Sequence, residues 1–127
     1  MSVERVFAVL TNPDRIREWL PGCEAAHLEG PLAQGAVIQA RFGSRVAEFE
    51  VMEFVPPTRF AWSERRQRRS SILAFRLDPV PGGTMVMVGE VESAPSLRAA
   101  LWGFLRSRRS PNGRVRVILQ RLEAIRF

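Results

Sequence analysis

The chain has 127 residues, 46% of them hydrophobic and 25% charged, with a formal net charge of +6. That length fits a single domain with one core, and that apolar content argues against disorder. No stretch approaches the roughly 20 apolar residues that cross a bilayer, and Glu4 and Arg5 interrupt the start as no signal peptide would allow, so a cytoplasmic protein is expected.

In chain order, Ser2 can cap a helix running through Leu10, with Val3, Val6, Phe7 and Leu10 on one face at helical spacing. Asn12-Pro13-Asp14 then supplies an N-cap, a first-position proline and a first-turn acid. The second helix is predicted to run to Leu20, where Pro21-Gly22 stops it. Strands are predicted at Cys23 to Glu29, Ala36 to Phe42, Arg45 to Val55, Arg59 to Glu64, Ser70 to Leu77 and Thr84 to Glu92. Turns separate them at Gly30-Pro31, Gly43-Ser44, Pro56-Pro57, the basic tip Arg65 to Arg69, and Pro81-Gly82-Gly83. Such short connections leave no room for crossover helices, so the pairing is antiparallel.

Ala94-Pro95-Ser96 opens a C-terminal helical segment with Leu97, Leu101, Phe104 and Leu105 on its apolar side. Val115, Ile118, Leu119, Leu122 and Ile125 continue at helical spacing. Pro111 lacks an N–H and clashes with the carbonyl a turn earlier, so a kink or break is expected across residues 107–113, with Ser110 capping a new helix from Pro111.

This order, and several phrases within it, resemble the START-like (SRPBCC) superfamily, especially its polyketide cyclase/dehydrase and lipid-transport branch. The phrases are Val6-Phe7-Ala8-Val9-Leu10, Asn12-Pro13-Asp14 with Trp19-Leu20-Pro21-Gly22, Glu53-Phe54-Val55-Pro56-Pro57-Thr58-Arg59-Phe60-Ala61-Trp62, Gly82-Gly83-Thr84, and Leu119 to Ile125. The resemblance implies an α+β helix-grip fold: a curved antiparallel sheet of about six strands around a long C-terminal helix, with two short N-terminal helices. Family members usually begin with a strand before the first helix, and here that strand is missing. An open sheet edge would follow, to be explained by a start site further upstream, by a second copy in a homodimer, or by solvent.

The fold so implied holds a cavity between sheet and C-terminal helix. Its candidate lining is Phe42, Phe49, Val51, Trp62, Leu73, Phe75, Met87, Trp102 and Leu105, and each of these would serve equally well as plain core. Met52 and Met85 would also suit an adaptable pocket or a core gap. Trp19 and Trp102 are read as helix-packing anchors or as rim residues. Arg108 would reach the cavity mouth and bind a carboxylate or phosphate if the helix stays in phase, and water if it does not.

Alternation from Phe49 and Val51 puts Glu53 on the inward face, and Glu90 lies in the last strand. Either is a candidate acid for proton transfer, or simply the partner of a nearby arginine. Asp14 is read as a helix-start acid. Cys23 and His27 are the only residues of their kinds, so no disulfide forms within the chain. If they share a strand face they could pair. No metal and no cofactor are expected, because no ligand spacing supports one.

All basic residues are arginine, and lysine and tyrosine are absent, which excludes Schiff-base chemistry and a phenolic acid. The runs Arg65-Arg66-Gln67-Arg68-Arg69 and Arg106, Arg108, Arg109 lack the interleaved aromatics that stack on bases, so nucleic acid is not the expected partner. The leading expectation is a binding or carrier domain for a small, largely hydrophobic molecule. The alternatives are a cyclase/dehydratase-type enzyme and a protein-, nucleic-acid- or membrane-surface-binding domain that uses the arginines.

Overall fold

A computed structural model describes residues 2–65, 70–92 and 113–125. Helix α1 spans Val3–Thr11, and Ser2 caps it by accepting the Arg5 backbone N–H at 3.3 Å. The helix runs one residue past Leu10. There the Thr11 hydroxyl donates to the Phe7 carbonyl at 2.8 Å, satisfying a polar group that would otherwise be buried unpaired. Val3, Val6, Phe7 and Leu10 form the buried face.

The next segment corrects the predicted continuous helix. The Asn12 side chain accepts the Asp14 N–H at 3.0 Å, but Pro13–Arg15 is a 3₁₀ turn and only Ile16–Trp19 (α2) is α-helical. Tightening to the 3₁₀ form shortens the segment and is common at helix starts. It leaves Ile16, Trp19 and Leu20 with no exposed surface.

Six strands follow: β1 Ala25–Leu28, β2 Val37–Phe42, β3 Arg45–Val55, β4 Arg59–Arg65, β5 Ser70–Val80 and β6 Gly83–Glu92. They form one antiparallel sheet in sequence order. The first strand is shorter than predicted. The β5–β6 hairpin is longer, because ladder pairing continues through Val80 and Gly83 to the Pro81-Gly82 turn. Gly43 and Gly82 adopt positive φ in the two tight turns, a conformation that costs glycine nothing.

Between Val51 and Glu53 the register slips by one residue: Val51 pairs with Trp62, but Glu53 pairs with Ala61. Such a bulge bends its strand and reverses which residues face inward. The sheet is curved, and α1 and α2 fill part of its hollow. Trp19 stacks on Trp62 at 5.6 Å and meets Phe75 edge-on at 5.2 Å, while Phe7 lies against Phe54 and Phe60.

Helix α3, Gly113–Ala124, closes the described chain. Val115, Ile118 and Leu122 are its buried stripe, at the helical spacing the sequence shows. It packs against α2 and β6. The break expected at residues 107–113, and the helix start at Pro111, fall largely outside the described residues. On the far side of β6 no strand pairs, among the described residues.

Candidate functional site

Directly opposed residues of an antiparallel sheet share a face, so the register sorts every side chain. One concave-face row runs Leu28, Ile38, Phe49, Glu64, Ser71. The next is Val51, Trp62, Leu73, Glu90. A third is Phe54, Phe60, Phe75, Val88, and a fourth pairs Leu77 with Val86. Phe42 joins the same face at the β2–β3 tip, 6.4 Å from Phe49. The structure therefore brings six of the sequence-derived lining candidates together: Phe42, Phe49, Val51, Trp62, Leu73 and Phe75. All but Phe42 are buried, and Phe49 stacks on Trp62 at 4.3 Å.

Two candidates move to the other face. Met87 pairs with Arg76, and Met85 with Asp78, so both lie outside the hollow. Glu53 is displaced by the bulge: Phe54 takes the inward position, and the Glu53 carboxylate reaches Arg59 on the outer face at 3.7 Å. Trp102, Leu105 and Arg108 lie outside the described residues.

Glu90 does belong to the concave face. Its carboxylate is nearly buried and meets Arg114 of α3 at 3.6 Å, tying the sheet to the helix. Glu64 was not anticipated. It sits beside Phe49 on the concave face with a side-chain exposure of 3%, and Arg45 Nη1 donates to its Oε1 at 3.0 Å. A buried carboxylate requires a partner, and Arg45 supplies one from the solvent edge while its guanidinium also covers the Phe42 ring at 4.9 Å. The sequence signal was slight: an acid at a strand end beside a basic run reads as solvated.

Cys23 and His27 do not come together. The strand begins at Ala25, so alternation does not extend back to Cys23. The thiol is buried and donates to the Ala25 carbonyl at 3.4 Å, and burial pushes its pKa up. His27 is exposed near Glu29. At the surface of α2, Arg15 holds the Glu18 carboxyl below the usual carboxylate range through a 2.6 Å hydrogen bond. Among the described residues, no group of histidine, cysteine and carboxylate side chains is placed to hold a metal. None of the described helices is long and apolar enough to cross a membrane.

A curved antiparallel sheet set against a C-terminal helix, with apolar rows facing inward, is the helix-grip architecture. The chain belongs to the family described as polyketide cyclase / dehydrase and lipid transport, whose model matches residues 1–124. No curated protein matches the sequence. Among solved structures, it is similar to protein MLL2253 from Mesorhizobium loti at 21% identity, with a TM-score of 0.67 over 96% of this chain and 86% of that one. It is also similar to DynU16, from the dynemicin biosynthetic locus, at 20% identity and a TM-score of 0.65, covering 98% of this chain and 42% of that one. A third is the Aha1 dimer from Colwellia psychrerythraea, at 19% identity and a TM-score of 0.61, covering 95% and 84%. At these identities the likeness is one of fold.

Proposed function

We propose that the protein binds a small, largely hydrophobic molecule on the concave face between the sheet and the C-terminal helix. The observation that carries this reading is the composition of that face: aromatic and aliphatic rows interrupted by two nearly buried carboxylates, Glu64 and Glu90, each held by an arginine. A mostly apolar surface with a few fixed polar groups is the usual makeup of a small-molecule site. The family and the biosynthetic locus of DynU16 agree with a molecule of this kind.

Titration with the neutral fluorescent probe N-phenyl-1-naphthylamine tests the reading. Saturable binding that is unchanged between low and high ionic strength is expected, because apolar contacts are not screened. Binding that collapses with salt would instead assign the function to the arginine surface.

A cyclase/dehydratase-type enzyme is the second reading, favoured by the same two carboxylates. Glu53 leaves it, because the bulge turns that residue outward. Turnover of any substrate found should fall on Glu64→Gln or Glu90→Gln, and survival of full turnover in both variants would end the enzyme reading. For partners, the small molecule is joined by a second copy of the chain at the sheet edge beyond β6, where no strand pairs among the described residues, in keeping with the dimeric Aha1 neighbour.

A further inference from the structure

Arg15 and Arg45 each hold a carboxylate, but with different parts of the guanidinium. Arg15 grips Glu18 along its side edge, Nε to Oε2 at 2.6 Å and Nη2 to Oε1 at 3.1 Å. That parallel pair is the strong, bidentate way for arginine to bind a carboxylate. Arg45 gives Glu64 only Nη1, at 3.0 Å. Nη1 is the corner opposite the Nε/Nη2 edge, and among the described residues that edge of Arg45 has no acceptor. Two contacts fix the guanidinium. Phe42 and Arg45 are directly opposed and share the concave face, and the Phe42 ring covers one plane of the group at 4.9 Å. Glu64, with 3% of its side chain exposed, holds Nη1 from the buried side, whereas the Arg45 side chain is 49% exposed. The ring is held in turn by Phe49 at 6.4 Å and by the Pro21-Gly22 turn, where a Cβ on Gly22 would lie 3.5 Å from it. A donor edge fixed in this way loses little freedom when it binds.

We propose that the molecule bound on the concave face is an apolar carboxylic acid, and that its carboxylate seats on the Nε/Nη2 edge of Arg45 while its body lies along the apolar rows. The inference rests on the reading of the concave face above and adds the charge of the ligand. Glu64 leaves room for a second acid, because it takes the opposite corner from the buried side and a guanidinium can serve acceptors along separate edges. The net charge of +6 offsets the repulsion between the two carboxylates. A neutral molecule of the same shape forms no charge-assisted pair at Arg45, so this residue sets specificity by charge.

A matched pair of ligands tests this. The probes 2-naphthoate and 2-naphthamide share a shape and differ by one charge at neutral pH. In displacement of N-phenyl-1-naphthylamine from the unsubstituted protein, 2-naphthoate should bind about tenfold more tightly than 2-naphthamide, as a charge-assisted pair requires. Arg45→Gln should remove that advantage and leave 2-naphthamide binding nearly unchanged. Arg5→Gln, which removes an exposed charge from α1, should keep it, so that net charge alone is not the cause. The double variant Arg45→Gln/Glu64→Gln leaves no buried acid without its cation and should give the same result as Arg45→Gln, which guards against a folding defect in the single variant. Equal binding of the two compounds by the unsubstituted protein would overturn the proposal, and so would an advantage that survives both Arg45 variants or is lost equally in Arg5→Gln. Each of those outcomes leaves an apolar site intact. If the fluorescent probe itself fails to bind, the reading of the concave face falls and this one with it.

Discussion

The concave face has two halves that differ in what they bury. Beneath α1 and α2 it is aromatic: Phe54, Phe60, Phe75 and Trp62 interlock with Phe7 and Trp19, with no charged side chain of the described residues in the cluster. Towards the Glu64 and Glu90 end, the same apolar rows receive two carboxylates, each held by an arginine from outside its own row. The first half shows what this fold needs for stability. The second carries groups that stability does not require, since a buried ion pair is often no better than apolar packing. Polar groups kept where the core could do without them are the mark of a site.

The largest effect should separate the halves directly. Trp62→Ala removes the hub of the aromatic network and should cost about 3–5 kcal/mol, read as a drop in the chemical-denaturation midpoint. A loss below about 1 kcal/mol would mean the hub is loosely packed.

Arg45→Ala should cost less, about 1–3 kcal/mol, by removing the guanidinium that donates to the buried Glu64 carboxylate. Adding Glu64→Gln to that variant should recover much of the loss, because the charge is gone. If the double variant is no more stable than the single one, Glu64 is not held by Arg45. Glu53→Gln, on the outer face, removes a partly exposed pair and should change stability by no more than about 1 kcal/mol in the same measurement. A larger loss would put Glu53 back inside.

The smallest effect is at the surface. Arg15 lowers the Glu18 pKa, so the stabilisation is present above the unfolded value and lost as pH falls through the folded one. Glu18→Gln should therefore flatten a small part of the acid limb of the stability–pH curve and leave neutral pH nearly untouched. An unchanged acid limb would contradict the pairing.

Much of the sheet was legible because its punctuation is chemical. Gly43, Pro56-Pro57 and Pro81-Gly82 mark turns whatever the tertiary context, and Ser2 and Asn12 announce their caps. What failed was phase. A single extra residue at Met52 reverses every later inward position on β3, and nothing in Val51-Met52-Glu53-Phe54 marks it in advance. In β6, Thr84 to Gly89 is apolar or small on both faces, so alternation could not tell Met87 from Val88; only pairing with β5 decides it. Glu64 was missed for the converse reason. Its neighbours in sequence are charged, but its neighbours in space, across β3 and β5, are Phe49 and Ser71.

The central claim is that the Glu64 end of the concave face holds a ligand, and native mass spectrometry of the protein purified from its own host tests it most directly. Ser71 is half-buried and pairs with Glu64 on the same face, so Ser71→Trp should place a large ring on that part of the face without disturbing the aromatic half. The expected result is a small-molecule adduct on the unsubstituted protein that denaturation releases, and its loss from the folded Ser71→Trp variant. No adduct on the unsubstituted protein, or one that Ser71→Trp retains, would contradict the account.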